Sequence, residues 1–235
     1  MRILPTVACA LLLLPAVAHS APNEPASTDK TDLPRWNVRT DALMVAMPQE
    51  KLLPLLPDLR DPGKIDAAVE KLLAAIQRKE AILTGCLMLF TLDGARGESR
   101  AITELLYPDD YGGPQAPQTV MDPANAPANR WTGVPNPSSF TTMNLGPFLA
   151  VEPHVSANGN SIRLEFEVQR ATLLGFDVYD SALAKIEMPR RFCSKNSGQI
   201  SLQNGQRSLI GVHVLTKPKG YLEVFILQSS ATPLP

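Results

Sequence analysis

The chain has 235 residues, of which 22 are basic and 23 are acidic, so its formal net charge at pH 7 is −1. This near balance, together with the lack of a basic stripe or an acidic run, disfavours nucleic acid and polyanions as partners. The 44% apolar content is ordinary for a globular core, and the length suits one large domain or two small ones.

The first 20 residues are typical of a secretory signal peptide. Arg2 precedes an apolar run from Ile3 to Val17, and small residues follow it. No later apolar window reaches the roughly 20 residues that a membrane-spanning helix needs. Residues 21–35 are rich in Pro, Ser, Thr and Asp and predict a disordered leader. We therefore expect an exported protein of the periplasm or outer membrane, with an ordered domain over residues 36–229.

The start of this domain predicts a strand followed by a helix. Trp36–Met47 carries the apolar residues of a strand, and Pro48 ends it. Asp61 and Pro62 then form a helix start, and apolar side chains recur after them at helical spacing. We predict one amphipathic helix at about 62–79, with its apolar stripe packed on a sheet.

Two apolar segments after this helix predict a β-hairpin. Ile82–Leu92 is dense in apolar and β-branched residues, and Ala101–Tyr107 resumes an extended pattern. Asp93 and Gly94 form a turn between them. Residues 108–139 are rich in proline and show little regular pattern, so they predict a long loop.

The clearest pattern predicts an antiparallel hairpin around an Asn-Gly turn. Phe148–Val155 places apolar residues on one side, and Asn158-Gly159 then turns the chain. From Ile162 to Gln169 apolar and polar residues alternate strictly. This alternation is typical of a strand with one solvated face.

The end of the chain predicts a three-stranded meander. Its first strand leads into a second turn at Asn204-Gly205, and its last strand is Tyr221–Gln228 after a turn at Lys217–Gly220. Because the last strand is apolar on both sides, we expect it to be central or covered. The side chains predicted to share one face of the middle strand are Ser208, Ile210, Val212 and Val214.

Two cysteines follow the signal peptide, Cys86 and Cys193. Both lie in predicted strands, where a lone cysteine usually behaves as a small buried hydrophobe. In an oxidising compartment two thiols can also pair, so the sequence leaves a disulfide open.

Residues suited to catalysis or metal binding are scarce. His154 and His213 are the histidines that follow the signal peptide, and both are expected on strand surfaces. Glu165 and Glu167 resemble a carboxylate pair, but their period-2 spacing makes them neighbours on a solvated face. No G-x-S-x-G or H-E-x-x-H motif occurs. We predict no catalytic, metal-binding or cofactor-binding residues and no cofactor; the site residues are structural turns, namely Gly94, Asn158, Gly159, Asn204 and Gly205.

Three segments also match the motifs of one family in order. Residues 139–164 resemble the hairpin G-x-x-L-x-V-x-P-x-I, x-D-G-x-I-x-L, and this is the most specific match. Ser197–Ile210 resembles the strand pair T-x-V-x-V-x-D-G-Q-T-x-x-I-G-G, and Ile82–Ile102 resembles the earlier element L-S-x-P-x-x-x-T-x-x-G-x-x-A-x-I. The family that they resemble is the C-terminal core domain of bacterial secretins, the ring-forming outer-membrane channels of type II and type III secretion and pilus systems.

The resemblance implies a non-catalytic subunit that oligomerises into a ring, with long β-hairpins forming a double-walled barrel. The chain departs from the family pattern in lacking the ring-building domains expected ahead of the core. Cys86 also stands about where the family's proline is expected, and Val212 replaces the second glycine of the last motif. The loop at 108–139 occupies the region where the family places barrel and gate hairpins.

We therefore predict an α+β fold, made mainly of antiparallel hairpins and a meander with one amphipathic helix. The predicted function is that of a non-enzymatic, secretin-like accessory or truncated subunit of a secretion or pilus apparatus. Its partners would be proteins, either itself or a larger secretin, paired through β-strands, with association at the outer membrane. Two alternatives stay open: a soluble periplasmic binding module that reuses the fold, and a hydrolase with a dispersed site.

Overall fold

The structure is a computed structural model that describes residues 36–112, 137–180 and 185–234. The predicted signal peptide and leader therefore lie outside the described residues, as does most of the predicted loop. The helical segments are α1 (Gln49–Leu52), a 3-10 turn (Leu53–Leu55), α2 (Leu56–Arg60) and α3 (Ile65–Gln77). The strands are β1 (Trp36–Pro48), β2 (Ile82–Leu92), β3 (Gly97–Arg100), β4 (Thr103–Tyr111), β5 (Pro137–Val155), β6 (Ser161–Asp180), β7 (Lys185–Gln203), β8 (Arg207–Val214) and β9 (Tyr221–Pro233).

Sheet A contains four antiparallel strands in the order β2-β1-β9-β8. Its two central strands, β1 and β9, bury consecutive side chains, so both of their faces are covered. Strands covered on both faces have nearly continuous apolar sequences, because neither face meets water. The expectation that the last strand is central is confirmed.

Helix α3 covers one face of sheet A. Its buried side chains recur every three or four residues, which places them on one stripe of the helix. They join one apolar cluster with side chains of β1 and β9: Ile65, Ala68, Val69, Leu72, Ala75, Val45, Met47, Leu222, Val224 and Ile226. The predicted amphipathic helix is confirmed, although it is shorter at both ends than the predicted range 62–79.

Sheet B packs against the opposite face of sheet A. Its strand order is β3-β5-β6-β7, and β4 pairs with the first part of β5. A second cluster fills the space between the sheets; it contains Ala42, Met44, Leu87, Phe225 and Leu227 of sheet A and Leu149, Val151, Leu164 and Val168 of sheet B. The molecule therefore has three layers, in the order helix, sheet A, sheet B, and the predicted α+β class is confirmed.

The strands β5 and β6 form the hairpin predicted around Asn158-Gly159. They pair in register from Gly146 with Ala171 to Val155 with Ile162. Leu164 and Val168 face the core, whereas Arg163 and Glu165 on the alternate positions are exposed. The prediction of one covered and one solvated face is confirmed.

The hairpin predicted for Ile82–Leu92 and Ala101–Tyr107 is wrong. Strand β2 pairs with β1 in sheet A, whereas β3 and β4 pair with β5 in sheet B. The turn at Asp93-Gly94 is present, but it carries the chain from one sheet to the other. A turn dipeptide sets a reversal of direction and leaves open which strand each flanking segment joins.

The predicted three-stranded meander is wrong for the same reason. Strands β8 and β9 form a hairpin in sheet A, but β7 pairs with β6 in sheet B. Within β8 a bulge lies between Leu209 and Gly211. Leu209 and Val212 therefore pack on the helix cluster and Ile210 on the inter-sheet cluster, so Ser208, Ile210, Val212 and Val214 do not share one face.

The predicted loop range 108–139 is wrong at both ends, because β4 continues to Tyr111 and β5 begins at Pro137. The short helices α1 and α2 were not predicted; their four or five residues with interspersed prolines give no helical period. Leu52 and Leu59 nevertheless anchor them in the helix cluster. None of the helices in the described ranges has the length and apolarity needed to cross a membrane.

Candidate assembly surfaces

Sheet B divides into two separate ribbons beyond the packed core. The pairing of β5 with β6 stops at Gly146 and Ala171. Past that point, residues 137–145 of β5 pair only with β4, and residues 172–180 of β6 pair only with β7. We call these two-stranded extensions the first ribbon (103–111 with 137–145) and the second ribbon (172–180 with 185–192).

Both ribbons carry apolar side chains that face solvent. The exposed residues are Leu106 and Phe140 on the first ribbon and Phe176, Val178 and Tyr179 on the second. A two-stranded ribbon without a covered face is only marginally stable in water, because it buries little apolar surface. The ribbons therefore leave apolar surface uncovered by the rest of the described residues.

Gly146 allows the sheet to divide. Its φ is +124°, a region that side-chain-bearing residues rarely adopt. A Cβ atom at this position would lie 2.2 Å from the backbone oxygen of Ala101. Gly146 thus lets the link between β3 and β4 pass close to β5 at the point where the first ribbon leaves the core.

A buried ion pair joins the two sheets beside the base of the second ribbon. Arg170 of β6 donates from Nε to Oε1 of Glu223 on β9 at 2.6 Å and from Nη2 to Oε2 at 3.2 Å. The two side chains are 9% and 0% exposed. Such a pair contributes little net stability against an apolar substitute, but removing one partner leaves an unpaired buried charge.

Hydroxyl groups complete the environment of Glu223. The Oγ of Ser194 on β7 donates to Oε2 at 3.1 Å, and the Oγ1 of Thr84 on β2 donates to Oε1 at 2.5 Å. Arg170 also donates to the hydroxyl of Thr172. The network therefore fixes four strands, β2, β6, β7 and β9, relative to one another where the second ribbon begins.

This network was not predicted, although the sequence contains an indication of it. Arg170 continues the even-numbered series of Leu164 and Val168, so strict alternation places it on the covered face. Glu223 is the single acid in the doubly apolar stretch of the last strand. A charged residue on a covered face of each of two strands predicts a buried pair.

The turn at Asn158-Gly159 packs against the start of sheet A. Gly159 has φ +72°, and a Cβ atom there would lie 2.3 Å from the indole ring of Trp36. The side chain of Asn158 accepts hydrogen bonds from the Asn160 amide at 3.1 Å and from the Ser156 hydroxyl at 2.7 Å. Hydrogen bonds of the Asn158 side chain within the turn and packing against the Trp36 ring therefore both stabilise it.

The turn at Asn204-Gly205 connects the two sheets. The Asn204 side chain donates to the carbonyl oxygens of Gly159 and Ala231, each at 3.0 Å, and accepts from the Ala231 amide at 2.9 Å. The Gly205 amide donates to Ser229 at 2.8 Å. Asn204 therefore ties the β5–β6 turn to the last strand.

The turn at Asp93-Gly94 attaches the end of sheet A to β5. Asp93 Oδ1 accepts from the Val155 amide at 2.8 Å, and the Gly94 amide donates to the Pro153 oxygen at 2.7 Å. Gly94 has φ +73°. All three turns chosen from the sequence lie where one sheet meets the other.

The two histidines have different surroundings. His154 is exposed and its Nε2 lies 3.5 Å from a carboxylate oxygen of Glu152. His213 is half-buried; its Nε2 lies 3.0 Å from Oδ1 of Asn196, and its ring meets Phe225 edge-on with centroids 5.2 Å apart. His213 thus contributes to the contact between β8 and β7. The expectation that it lies on an open strand surface is wrong.

Glu165 and Glu167 lie on the solvent side of sheet B. Glu167 forms an ion pair with Lys195 at 2.8 Å, and Glu165 accepts a hydrogen bond from Gln199. Both line a shallow cleft of about 150 Å³ together with Glu152 and Arg96. Both carboxylates contact side chains of β7, which fits the expected solvated face.

The cysteines are exposed free thiols, Cys86 on β2 and Cys193 on β7. The expectation of small buried hydrophobes at these positions is wrong, because both side chains point away from the inter-sheet core. Within residues 36–112, 137–180 and 185–234, no group of three or more metal-binding side chains converges.

Two exposed carboxyl groups have pKa values below their ordinary range. A hydrogen bond from Arg100 lowers the pKa of Glu98, with smaller contributions from the charges of Arg100 and Arg96. A hydrogen bond from Arg78 and the charge of Lys51 lower the pKa of Glu80. Each is an ordinary surface ion pair.

Comparison with known proteins gives similarity to solved structures only. No family model matches the chain, and no curated protein matches it. The chain is similar to the ETEC pilotin–secretin complex AspS–GspD, with a TM-score of 0.45 and 10% identity over 86% of this chain and 51% of that chain. For the V. cholerae type IV competence pilus secretin PilQ the TM-score is 0.44 and the identity 9%, over 86% and 62% of the two chains.

A third similar structure is the type II secretion system secretin XcpQ from Pseudomonas aeruginosa. Its TM-score is 0.41 and its identity 14%, over 86% of this chain and 60% of that chain. The chain thus spans between 51% and 62% of the length of these three secretin chains. All three are secretins, the family whose core motifs the sequence resembles.

Proposed function

We propose that this chain is a non-enzymatic, secretin-like component of a protein secretion or pilus apparatus that works by β-strand-mediated assembly. The observation that carries the proposal is the division of sheet B into two ribbons with exposed apolar side chains. The packed core holds the base of each ribbon, while the ribbons have no covering layer among the described residues. This arrangement presents strands for contact with other chains.

The position of the motifs supports the same proposal. The segment 139–164, which gives the most specific resemblance to the secretin core, covers the inner strand of the first ribbon and the β5–β6 turn. The segment Ser197–Ile210 covers the crossing from sheet B to sheet A. The resemblance thus falls on the parts that shape and anchor the ribbons.

The expected partners are further copies of the chain or a larger secretin, and the expected location is the periplasm or the outer membrane. An extended partner strand would pair with the main chain of a ribbon edge, and the exposed side chains would set its specificity. An accessory or truncated subunit would use the same contacts as a full-length one.

The test is fractionation of cells that express the full chain, followed by electrophoresis of unheated detergent extracts. We expect a detergent-resistant multimer in the outer-membrane fraction, and we expect the double variant Phe176→Ser with Tyr179→Ser to lose it. Val214→Ser, an exposed apolar position on sheet A, is the matched control and should keep it. A monomer confined to the soluble periplasmic fraction would instead favour the alternative of a soluble binding module.

A further inference from the structure

Sheet B ends in two edge strands of opposite charge. Strands β3 and β4 follow one another along one side of β5, and β7 is the last strand on the other side of the sheet. The sequence of β4, TELLYPDDY, contains three acids and no base, so its formal charge is −3. The sequence of β7, KIEMPRRFCSKNSGQISLQ, contains four bases and one acid, so its formal charge is +3. No described strand pairs with the outer side of either.

The strand directions allow these two edges to meet. Each neighbouring pair from β4 to β7 is antiparallel, so β4 and β7 run in opposite directions. If β7 of a second copy lay beside β4, the antiparallel order would continue from one chain to the next. A contact between two β4 edges would bring acids beside acids, and a contact between two β7 edges would bring bases beside bases. Like charges on neighbouring strands are destabilising, so a contact between unlike edges is favoured.

The charges also match in position along the two strands. Counted from the point where β5 and β6 separate, the first residue of β4 is Thr103 and the corresponding residue of β7 is Phe192. One step further along each ribbon are Glu104 and Arg191, which would therefore lie opposite each other in an edge-to-edge contact. Both side chains are exposed, and neither forms an ion pair with another described residue.

Main-chain pairing alone is a poor basis for choosing between partners at these edges. Pro108 of β4 and Pro189 of β7 lack an amide hydrogen, and the pairing of β4 has two register shifts, so neither edge offers a complete ladder. Charged side chains also protect edge strands from unwanted pairing, but either sign would do so on either edge. Opposite signs on the two edges instead suit a contact that joins one edge to the other.

Within one chain this complementarity is not used. Strand β4 passes close to β7 of its own chain, but no ion pair joins the two strands among the described residues. Two bases of β7 pair with β6 instead. Arg190 lies 3.2 Å from Asp177, and Lys195 lies 2.8 Å from Glu167. Arg191 is left for a contact outside the chain.

We propose that opposite charge on the two edges of sheet B selects the assembly partner: the acidic β4 edge of one copy takes the basic β7 edge of the next, with Glu104 beside Arg191. The contact is head-to-tail, because it joins two different edges. The inference rests on the proposed assembly function and names the residues that determine which strands meet.

The first test measures the multimer of the purified full chain by sedimentation velocity in a mild detergent. Glu104→Lys and Arg191→Glu should each weaken association about tenfold or more, because every contact would then bring like charges together. Glu70→Lys on α3 and Arg60→Glu on α2 are the matched controls; they change the charge equally at exposed positions of the helix layer and should leave the multimer intact. Circular dichroism checks that each variant is folded.

The second test co-expresses the Glu104→Lys chain with the Arg191→Glu chain under different affinity tags. Each contact can then join two reversed edges or two natural edges in alternation, so multimers that contain both chains should return. Multimers that return only when both substitutions are in the same chain, and not on co-expression, would show a pair within the chain and would overturn the inference. A multimer that either single substitution leaves unchanged would also overturn it.

The outcomes separate this inference from the proposed function. A multimer that Phe176→Ser with Tyr179→Ser disperses, but that Glu104→Lys leaves intact, would support assembly through the ribbons and would overturn selection by edge charge. A natural chain that stays monomeric would overturn this inference, and confinement of that monomer to the soluble periplasmic fraction would overturn the proposed function as well.

Discussion

The two halves of sheet B differ in what covers them, although they are built from the same strands. In the packed half, Leu149, Leu164 and Val168 are fully buried against sheet A. In the ribbons, Phe176 and Tyr179 of the same strand β6 face solvent. The difference shows that the layer packed against the sheet, and not its main-chain pairing alone, decides which part is buried. The pairing of β6 with β7 continues into the second ribbon, with one register shift between Leu173 and Gly175.

The largest expected effect comes from breaking the ion pair at the boundary between the halves. Arg170→Met leaves Glu223 buried without its cation, so the free energy of unfolding should fall by about 3–5 kcal/mol. Arg190→Met in the second ribbon removes an exposed pair with Asp177 at 3.2 Å and should cost less than about 1 kcal/mol. Urea denaturation followed by circular dichroism measures both. Equal losses for the two variants would mean that the ribbon is as tightly built as the core.

A smaller effect should come from alanine at two glycines of positive φ, one in each half. Gly159→Ala meets the Trp36 ring, whereas Gly175→Ala in the second ribbon meets no atom within 4 Å. Backbone strain alone costs roughly 1–2 kcal/mol, and a ribbon that carries few contacts can relax it locally. Gly159→Ala should therefore lower the thermal midpoint more than Gly175→Ala does. If Gly175→Ala lowers the thermal midpoint more than Gly159→Ala does, the backbone geometry of the ribbon contributes to the stability of the whole domain.

The sequence predicted the parts of the fold that depend on local patterns. Strict alternation after Asn158-Gly159 defined the β5–β6 hairpin, and helical spacing defined α3, because each pattern reports directly which face is covered. The sheet membership of β2 and β7 was missed. It depends on contacts such as Asp93 with Val155 and Asn204 with Ala231, whose partners lie 62 and 27 residues away along the chain.

The candidate surfaces were predictable only in part. Proline and acidic residues in 108–111 concealed the end of β4, so residues 108–111 and the start of β5 were predicted to belong to a loop, whereas 103–107 were predicted to be extended. The opposite charges of β4 and β7 were visible in the sequence, but their meaning required knowing that both strands are edges. The sequence cannot supply this, because edge and central strands look alike until the strand order is known.

The smallest expected effect concerns Glu98, which lies in the packed half but at its solvent edge. Hydrogen bonding from Arg100 lowers its pKa in the folded chain, so the carboxylate contributes stability above its unfolded pKa and loses it as the pH falls through the folded value. Glu98→Gln should therefore shift the urea midpoint slightly at pH 7, and the shift should decrease as the pH is lowered and the carboxyl group becomes protonated. A difference that persists at low pH would show that packing, and not charge, sets the role of Glu98. In that case side-chain packing would stabilise the sheet as far as its edge at Glu98. The boundary between the packed half and the ribbons would then lie further out than the ion pair of Arg170 and Glu223.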